Sequence, residues 1–240
     1  MSYRFEGSKD IGGHNLGNLI FLSLMDITGS FMGAIQAISR ILKVKGTILP
    51  STLDTVTLYA MMEDGTLVRG ENNIPTLNNS IDHVFYQKRV EPQKDALKAI
   101  RKADLIIYGI GSLYTSIMPN LIIPEIVDEI KRNPCQKIYF CNAMSQPGET
   151  DDFSVEDHIR AIEKHSFKNA VDLAIVNDSY IPQNILEAYA KQGSYPVKIK
   201  EHEHSYRIIV RKLIMFDEKG RIRHNPDAVK KVIEEVIQTI

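Results

Sequence analysis

Apolar and polar residues follow a regular alternation of patterns from about residue 93 to residue 193. Short, nearly continuous apolar runs (DLIIYG, KIYFCN and VDLAIVN) are separated by amphipathic stretches. In one of these, QKDALKAIRKA, one helical face carries Ala96, Leu97, Ile100 and Ala103. Continuous apolar runs are typical of parallel strands covered on both faces. The alternation therefore predicts an α/β fold with a mostly parallel sheet and helices on both faces.

The residues before this region predict two helices and then strands. Asn15 is a candidate N-cap for a helix over 16–27, and Ser30 for a second helix to about 42. VKGTILP predicts a short strand. VTLYAMMEDGTLVRG predicts a β-hairpin insertion turning at Asp64-Gly65, and HVFYQKRV predicts a further strand.

The other predicted elements lie later in the chain. A helix is expected over about 119–132, and another from Ser154. YRIIVRKLIMFDEKGRIRHN predicts an antiparallel C-terminal strand pair around residues 218–220, and Asn225 and Pro226 open a last helix. No linker or repeat divides the chain, so we expect a single α/β domain over residues 1–240.

Charge and cysteine content exclude several classes of protein. The net charge is −1 with no basic tract, so no nucleic-acid partner is indicated. Cys135 and Cys141 have no C-x-x-C spacing, which argues against a disulfide framework or zinc site. The most apolar segment, residues 16–42, is interrupted by Asp26 and Arg40, so no membrane insertion is expected. We expect a soluble, cytoplasmic protein.

Polar residues follow four of the predicted strands. DLIIYG leads into Gly109, Gly111, Ser112, Thr115 and Ser116; the other three lead into Pro50-Ser51-Thr52, NAMSQPGETDD and Asn177-Asp178-Ser179. Ligands of open parallel sheets bind beyond the carboxyl ends of the strands. Four such loops on one edge therefore predict a polar pocket.

The glycines of the first loop favour an anion site, because they allow successive backbone N–H groups to converge on a phosphate. The alternative is a tight strand-to-helix connection in which the hydroxyls bond locally. The loop is no Walker A motif, since no Gly-Lys-Ser/Thr follows.

The loop after the second parallel strand offers further ligand groups. Asn142, Gln146 and Glu149 are suited to bonding a base or sugar, and Asp151 and Asp152 are the candidate ligands for a divalent ion such as Mg²⁺. Ser154 and Asp157 are better explained as a capping box. His14, next to the Asn15 cap, is either catalytic or part of the capping turn.

The blocks GGHNLGNL, LPSTLDTVTL, EDGTLVRGE, GIGSLYTSIMPNL, CNAMSQPGETDDFSVEDH and RHNP together resemble the gluconeogenesis-factor (YvcK-like) family, which is related to the 2-phospho-L-lactate transferase (CofD) group. The resemblance covers essentially the whole chain. It implies a Rossmann-like fold and a cytoplasmic bacterial protein that binds UDP-sugars such as UDP-N-acetylglucosamine or UDP-glucose. It also implies a role in cell shape and wall-precursor control during growth on gluconeogenic carbon sources.

The same resemblance implies a set of binding residues. Gly111, Ser112, Thr115 and Ser116 fall in a phosphate loop, Asn142 and Gln146 in the adjoining loop, Asn177 at the next strand end and Arg223 in the C-terminal block. With the neighbouring positions, the expected ligand- and phosphate-binding residues are His14, Asn15, Ser51, Thr52, Gly109, Gly111, Ser112, Leu113, Thr115, Ser116, Asn142, Gln146, Asn177 and Arg223.

The chain departs from the family at its start. Family members begin with a strand and a GGGTG loop, whereas this chain starts at Met1-Ser2-Tyr3-Arg4-Phe5. We therefore expect the N-terminal strand and glycine-rich loop to be missing, nucleotide binding by this chain alone to be weak or absent, and an unpaired sheet edge that favours a homo-oligomer.

Two functions remain open from the sequence. One is a nucleotide-sugar-binding regulator without turnover, which the absence of a recognisable nucleophile or acid/base set favours. The other is a transferase of the 2-phospho-L-lactate transferase type, acting on a phosphorylated or nucleotide-linked substrate with Mg²⁺.

Overall fold

A computed structural model describes residues 3, 5, 15–77, 79–200 and 203–239. They form two compact units, one ending at Leu53 and the other starting at Asp54. The expectation of one domain over the whole chain, without the family's first strand and loop, stays a prediction.

The first unit is a helical pair, α1 (Leu16–Thr28) and α2 (Phe31–Ile41). The Asn15 side chain accepts a hydrogen bond from the Gly17 N–H at 2.7 Å, and Ser30 caps α2 through the Gly33 N–H at 3.0 Å. Both predicted caps are confirmed. The strand predicted over 44–50 is wrong: Gly46 lies at φ +94°, which interrupts an extended backbone, and none of the strands in the described residues pairs with this segment.

The second unit begins with a three-stranded antiparallel sheet in the order β2-β1-β3. Its strands are β1 (Leu58–Met62), β2 (Leu67–Arg69) and β3 (Ile81–Tyr86). The predicted hairpin is confirmed, since Asp64 Oδ1 accepts from the Thr66 N–H at 2.9 Å and Gly65 takes φ +84°.

A parallel four-stranded sheet, ordered β4-β5-β6-β7, forms the centre of this unit. Its strands are β4 (Leu105–Tyr108), β5 (Gln136–Phe140), β6 (Leu173–Asn177) and β7 (Arg207–Arg211). The helices around it are α3 (Lys94–Arg101), α4 (Met118–Leu121), α5 (Pro124–Arg132), α6 (Val155–His165), α7 (Gln183–Ala190) and α8 (Pro226–Ile237). The predicted α/β fold with a mostly parallel sheet is confirmed.

Alternate strand residues pack into two cores on opposite faces of this sheet. Tyr139 and Ala174 lie in one core with Ile159 of α6, whereas Phe140 and Ile175 lie in the other with α8. Helices therefore cover both faces, as predicted.

Coverage is incomplete at β4, which is the edge strand among the described residues. Ile107 of β4 is 37% exposed, contrary to the expectation that this strand is covered on both faces.

Two element boundaries differ from the predictions. The region of the helix expected over 119–132 contains two helices, α4 and α5, and a π-helical turn (Leu113–Ile117) precedes them. The two helices are separate because the chain leaves the helical conformation at Ile123, before Pro124 starts α5. The C-terminal pair forms as β8 (Ile214–Phe216) and β9 (Ile222–His224), but residues 207–211 join the parallel sheet beside β6.

Candidate functional site

The loop after β4 turns sharply into the π-helical turn. Gly111 allows this turn, since a Cβ at this position would lie 2.9 Å from Ser116 Cβ. Neither Gly109 nor Gly111 takes a left-handed φ, and a Cβ at Gly109 would meet open space. Gly111 is therefore explained by close packing within its own loop. The expected anion site at the backbone N–H groups of this loop stays a prediction.

Side-chain hydrogen bonds join this loop to the loop after β5. Asn142 Nδ2 donates to the Gly111 carbonyl at 3.1 Å and to Gln146 Oε1 at 3.3 Å. Gln146 Nε2 donates to Ser112 Oγ at 2.7 Å. The two strand-end loops form one polar network, because parallel strands deliver their carboxyl ends to the same edge of the sheet.

The loop after β5 is held in a single conformation. Gly148 lies at φ +76°, and a Cβ there would lie 2.0 Å from the Pro75 carbonyl oxygen. The Asp151 carboxylate accepts from the Gly148 N–H at 2.7 Å, and Thr150 Oγ1 accepts from the Gln146 N–H at 2.9 Å. Gln146 is thus presented from a fixed backbone.

An open cavity of about 590 Å³ lies beside this network. It is lined by Pro75, Ile110, Gly111, Ser112, Asn142, Ala143, Met144, Ser145, Gln146, Pro147, Glu149, Tyr189, Gln192, Ser194, Ile222, Arg223 and His224. Five residues expected from the sequence to bind ligand come together here: Gly111, Ser112, Asn142, Gln146 and Arg223. Its volume is within the range usual for small-molecule sites.

The cavity wall formed by α7 and β9 contains a positively charged side chain, that of Arg223. The side chain of Arg223 is 54% exposed, and its Nε lies 3.8 Å from the Asp217 carboxylate. Tyr189 Oη accepts from the Ile222 N–H at 2.8 Å, which attaches β9 to α7. Burial lowers the pKa of His224, so this imidazole is neutral at pH 7. The guanidinium of Arg223 is therefore the cationic group of the cavity lining.

Glu149 contributes a carboxyl group to the lining and is only 7% exposed. Its Oε1 accepts from Thr115 Oγ1 at 3.2 Å. Burial raises the pKa of its carboxyl, whereas hydrogen bonds from Thr115 and from the Tyr114 and Thr115 backbone lower it; burial has the larger effect. The side chain thus connects the loop after β5 to the π-helical turn.

Four expected residues of the first loop are not among the residues that line the cavity. Gly109 and Ser116 are exposed, Leu113 is fully buried in the core, and Thr115 bonds Glu149. The carbonyl of Ser116 accepts a hydrogen bond from Asn120 Nδ2 at 2.9 Å, so this residue, like Thr115, bonds within the protein.

Asn177 ends β6 on the same sheet edge but bonds locally. Its Oδ1 accepts from Ser179 Oγ at 2.7 Å and from the Leu213 N–H at 3.0 Å. Asn177 therefore fixes the chain after β6 and does not line the cavity.

The other expected residues belong to the first unit. Asn15 caps α1, and Ser51 and Thr52 follow the segment 44–50, which is not a strand, so the pattern of four polar strand ends is reduced to three. His14 lies outside the described residues.

The two candidate metal ligands lie in the turn before α6. Asp151 and Asp152 are exposed; Asp151 bonds the Gly148 N–H, and the Asp152 carbonyl accepts from Lys200 Nζ at 3.1 Å. Over the described ranges, no group of three or more His, Cys, Asp or Glu side chains is placed to hold a metal ion. Binding of Mg²⁺ by these two carboxylates stays a prediction.

Several lining residues were not expected from the sequence. Tyr189, Gln192 and Ser194 come from the end of α7 and the segment after it, where Ser194 Oγ donates to the Ser145 carbonyl at 2.6 Å. They lie in an ordinary amphipathic helix and turn, so no local pattern distinguishes them. The sequence did mark Glu149 as a hydrogen-bonding residue but not the tertiary contact that buries it.

The chain has clear relatives. The family described as 2-phospho-L-lactate transferase CofD matches residues 1–214. The gluconeogenesis factor of Halalkalibacterium halodurans is 38% identical over 97% of this chain and 73% of its own length. That of Bacillus subtilis is 38% identical, over 98% and 75%, and a putative gluconeogenesis factor of Thermotoga maritima is 39% identical, over 98% and 76%.

A solved structure supports the same relationship. The crystal structure of a UPF0052-family protein from Bacillus halodurans superposes with a TM-score of 0.89 at 38% identity, covering 97% of this chain and 76% of that one. No helix in the described part of the chain is long and apolar enough to cross a membrane. From the family match and these relatives, the chain belongs to the CofD family and to the gluconeogenesis-factor proteins related to it.

Proposed function

We propose that the cavity binds a nucleotide-linked sugar of the UDP-N-acetylglucosamine or UDP-glucose type. The observation that supports this is the convergence of Ser112, Asn142, Gln146 and Arg223 on one cavity at the carboxyl ends of β4 and β5. A guanidinium suits a phosphate group, and amide and hydroxyl side chains suit a base or sugar. The family's name, 2-phospho-L-lactate transferase, also points to phosphate-bearing molecules.

We further propose that the protein acts as a regulator, in which ligand binding without turnover controls cell shape and the supply of wall precursors in the cytoplasm. The cavity lining supports binding over catalysis. Its hydroxyls are engaged by protein groups: Ser112 accepts from Gln146, and Ser145 Oγ accepts from the Tyr195 N–H at 2.9 Å. The thiol of Cys141 is fully buried, and burial raises its pKa to about 12.

Saturation-transfer NMR on the 240-residue chain with UDP-N-acetylglucosamine tests the binding, since this method detects weak complexes. We expect transfer to the nucleotide sugar and its loss in Arg223→Gln. Arg221→Gln is the matched control, because Arg221 has similar exposure but pairs with Asp217 at 2.7 Å outside the cavity lining. No transfer with the unaltered chain, or equal loss in both variants, would contradict the proposed site.

The second candidate is a transferase that acts on a phosphorylated or nucleotide-linked substrate with Mg²⁺, and the CofD family match favours it. Phosphorus NMR of the ligand during long incubation with the protein and Mg²⁺ separates the two functions. An unchanged ligand that remains bound supports the regulator, and a new phosphorus resonance that requires protein supports the transferase. The regulatory role itself is tested by replacing the chromosomal gene with the Arg223→Gln allele and scoring cell shape on a gluconeogenic carbon source.

A further inference from the structure

Glu149 combines burial with an unused hydrogen-bonding position. It lines the cavity with only 7% of its surface exposed. Its Oε1 is bonded to Thr115, whereas its Oε2 is sealed from solvent and has no hydrogen-bond partner among the described residues. A buried acceptor without a donor is unfavourable unless some other molecule supplies one.

The neighbouring polar groups do not satisfy this oxygen. Asn142 Nδ2 donates to the Gly111 carbonyl and to Gln146 Oε1, and Gln146 Nε2 donates to Ser112 Oγ. Within the described residues, no lysine, arginine or histidine forms an ion pair with Glu149. The carboxyl group thus receives hydrogen bonds from the Thr115 hydroxyl and the backbone of the π-helical turn, has no cation paired with it, and keeps its Oε2 without a partner among the described residues.

The chemistry of a carboxylate limits what can bond to it. A phosphate oxygen is repelled by a second anion, so the phosphate of a ligand is expected at Arg223 and away from Glu149. A metal ion requires further ligands, and none of the described side chains forms such a cluster. Neutral donors remain, and a hydroxyl group is the donor that a nucleotide sugar carries on both its ribose and its sugar.

We infer that the cavity recognises two different groups of one ligand. Arg223 binds a phosphate, and the Glu149 carboxylate turns its covered Oε2 toward the cavity to accept a hydrogen bond from a ribose or sugar hydroxyl. Glu149 would thus be a specificity-determining residue that selects hydroxyl-bearing phosphate esters over simple phosphates. This inference depends on the proposed function, because it names how that same cavity distinguishes its ligand.

The test compares UDP-N-acetylglucosamine with inorganic pyrophosphate, which retains the diphosphate but lacks hydroxyl groups on carbon. Glu149→Gln preserves shape and the oxygen that Thr115 bonds, but removes the charged acceptor. We expect about 10- to 100-fold weaker binding of the nucleotide sugar, the effect of losing a hydrogen bond to a charged group. Pyrophosphate, measured as a competitor, should bind the variant equally well or more tightly.

Glu125→Gln is the matched control. Glu125 also has a buried Oε2 without a hydrogen-bond partner, but it pairs with Arg89 and is not among the residues that line the cavity. This control should bind both molecules like the unaltered chain. Melting temperatures of all three proteins identify any general loss of structure.

The outcomes separate the two claims. If the unaltered chain binds neither molecule, the proposed function and this inference both fail. The inference is overturned if the unaltered chain binds the nucleotide sugar but Glu149→Gln leaves that affinity unchanged. It is also overturned if Glu149→Gln weakens the binding of both molecules equally, because Glu149 then only holds the loop in place. Failure of pyrophosphate to compete would also overturn it, since phosphate and hydroxyl would then not be bound independently.

Discussion

Gln146 Nε2 donates to Ser112 Oγ at 2.7 Å, and this bond joins residues 34 positions apart in the chain. It connects the loop after β4 to the loop after β5 at the edge where both parallel strands end. The bond lies in the cavity wall, since Ser112 and Gln146 both line the cavity.

The bond between Ser112 and Gln146 should appear as an energetic coupling. We expect Ser112→Ala and Gln146→Ala to destabilise the fold non-additively, with an interaction free energy of about 1 kcal/mol. Urea unfolding of the two single variants and the double variant measures it. Strict additivity would show that the bond contributes nothing to stability in solution.

Replacing Gly148 by alanine should strongly destabilise the protein. The new Cβ would need φ +76° and would lie 2.0 Å from the Pro75 carbonyl oxygen, so the loop after β5 must move. We expect a loss of about 3 kcal/mol or more in the free energy of unfolding. Gly220→Ala is the control: it has φ +70° but no atom within 4 Å, and only backbone strain of about 1–2 kcal/mol is expected. Equal losses in both variants would show that contact with Pro75 is unimportant.

The capping box at the start of α6 should make the free energy of unfolding decrease in acid. Burial alone would raise the pKa of Asp157, but hydrogen bonds from Ser154 and Arg160 outweigh it and lower this pKa to about 2. Because the folded-state pKa lies below the usual value of 3.8, the contribution of Asp157 is complete above about pH 4 and is lost as the pH falls toward 2. Chemical unfolding between pH 2 and 5 should show that the free energy of unfolding falls less with acid in Asp157→Asn than in the unaltered chain. An unchanged pH profile would contradict the assigned capping role.

His165 should make the stability of the protein depend on pH between about pH 5 and 8. Its Nε2 accepts from the Val84 N–H at 3.0 Å, and its Nδ1 bonds the Ala161 carbonyl at 2.8 Å, so the folded protein requires the neutral ring. Burial lowers its pKa, although the bond to Ala161 opposes this shift. The unfolded chain therefore binds the proton more readily, and stability falls as the pH drops below about 6.5.

Burial also lowers the pKa values of His158 and His224, so these residues contribute to the same pH dependence. His165→Gln should reduce the slope of unfolding free energy against pH by up to about 1.4 kcal/mol per pH unit, the value for one proton. Thermal or urea unfolding between pH 5 and 8 provides the measurement. A slope equal to that of the unaltered chain would show that His165 does not titrate on unfolding.

Local patterns along the chain determined most of the secondary structure. The caps at Asn15, Ser30 and Asn225, the Asp64-Gly65 hairpin and the apolar runs of β4, β5 and β6 are local features, and each predicted element is found. The failure at residues 44–50 has a physical reason: a strand exists only when another strand pairs with it, and pairing is not a local property.

The sequence also determined part of the site, since residues placed just after parallel strands must come to one edge of the sheet. It therefore identified Ser112, Asn142 and Gln146. Only the tertiary structure decided which polar groups remain available to a ligand. The side chain of Asn177 bonds Ser179 and Leu213, and that of Thr115 bonds Glu149, whereas Arg223 and Tyr189 reach the cavity from elements distant in the chain. The reason is that hydrogen-bond partners and burial depend on chain segments that meet only on folding.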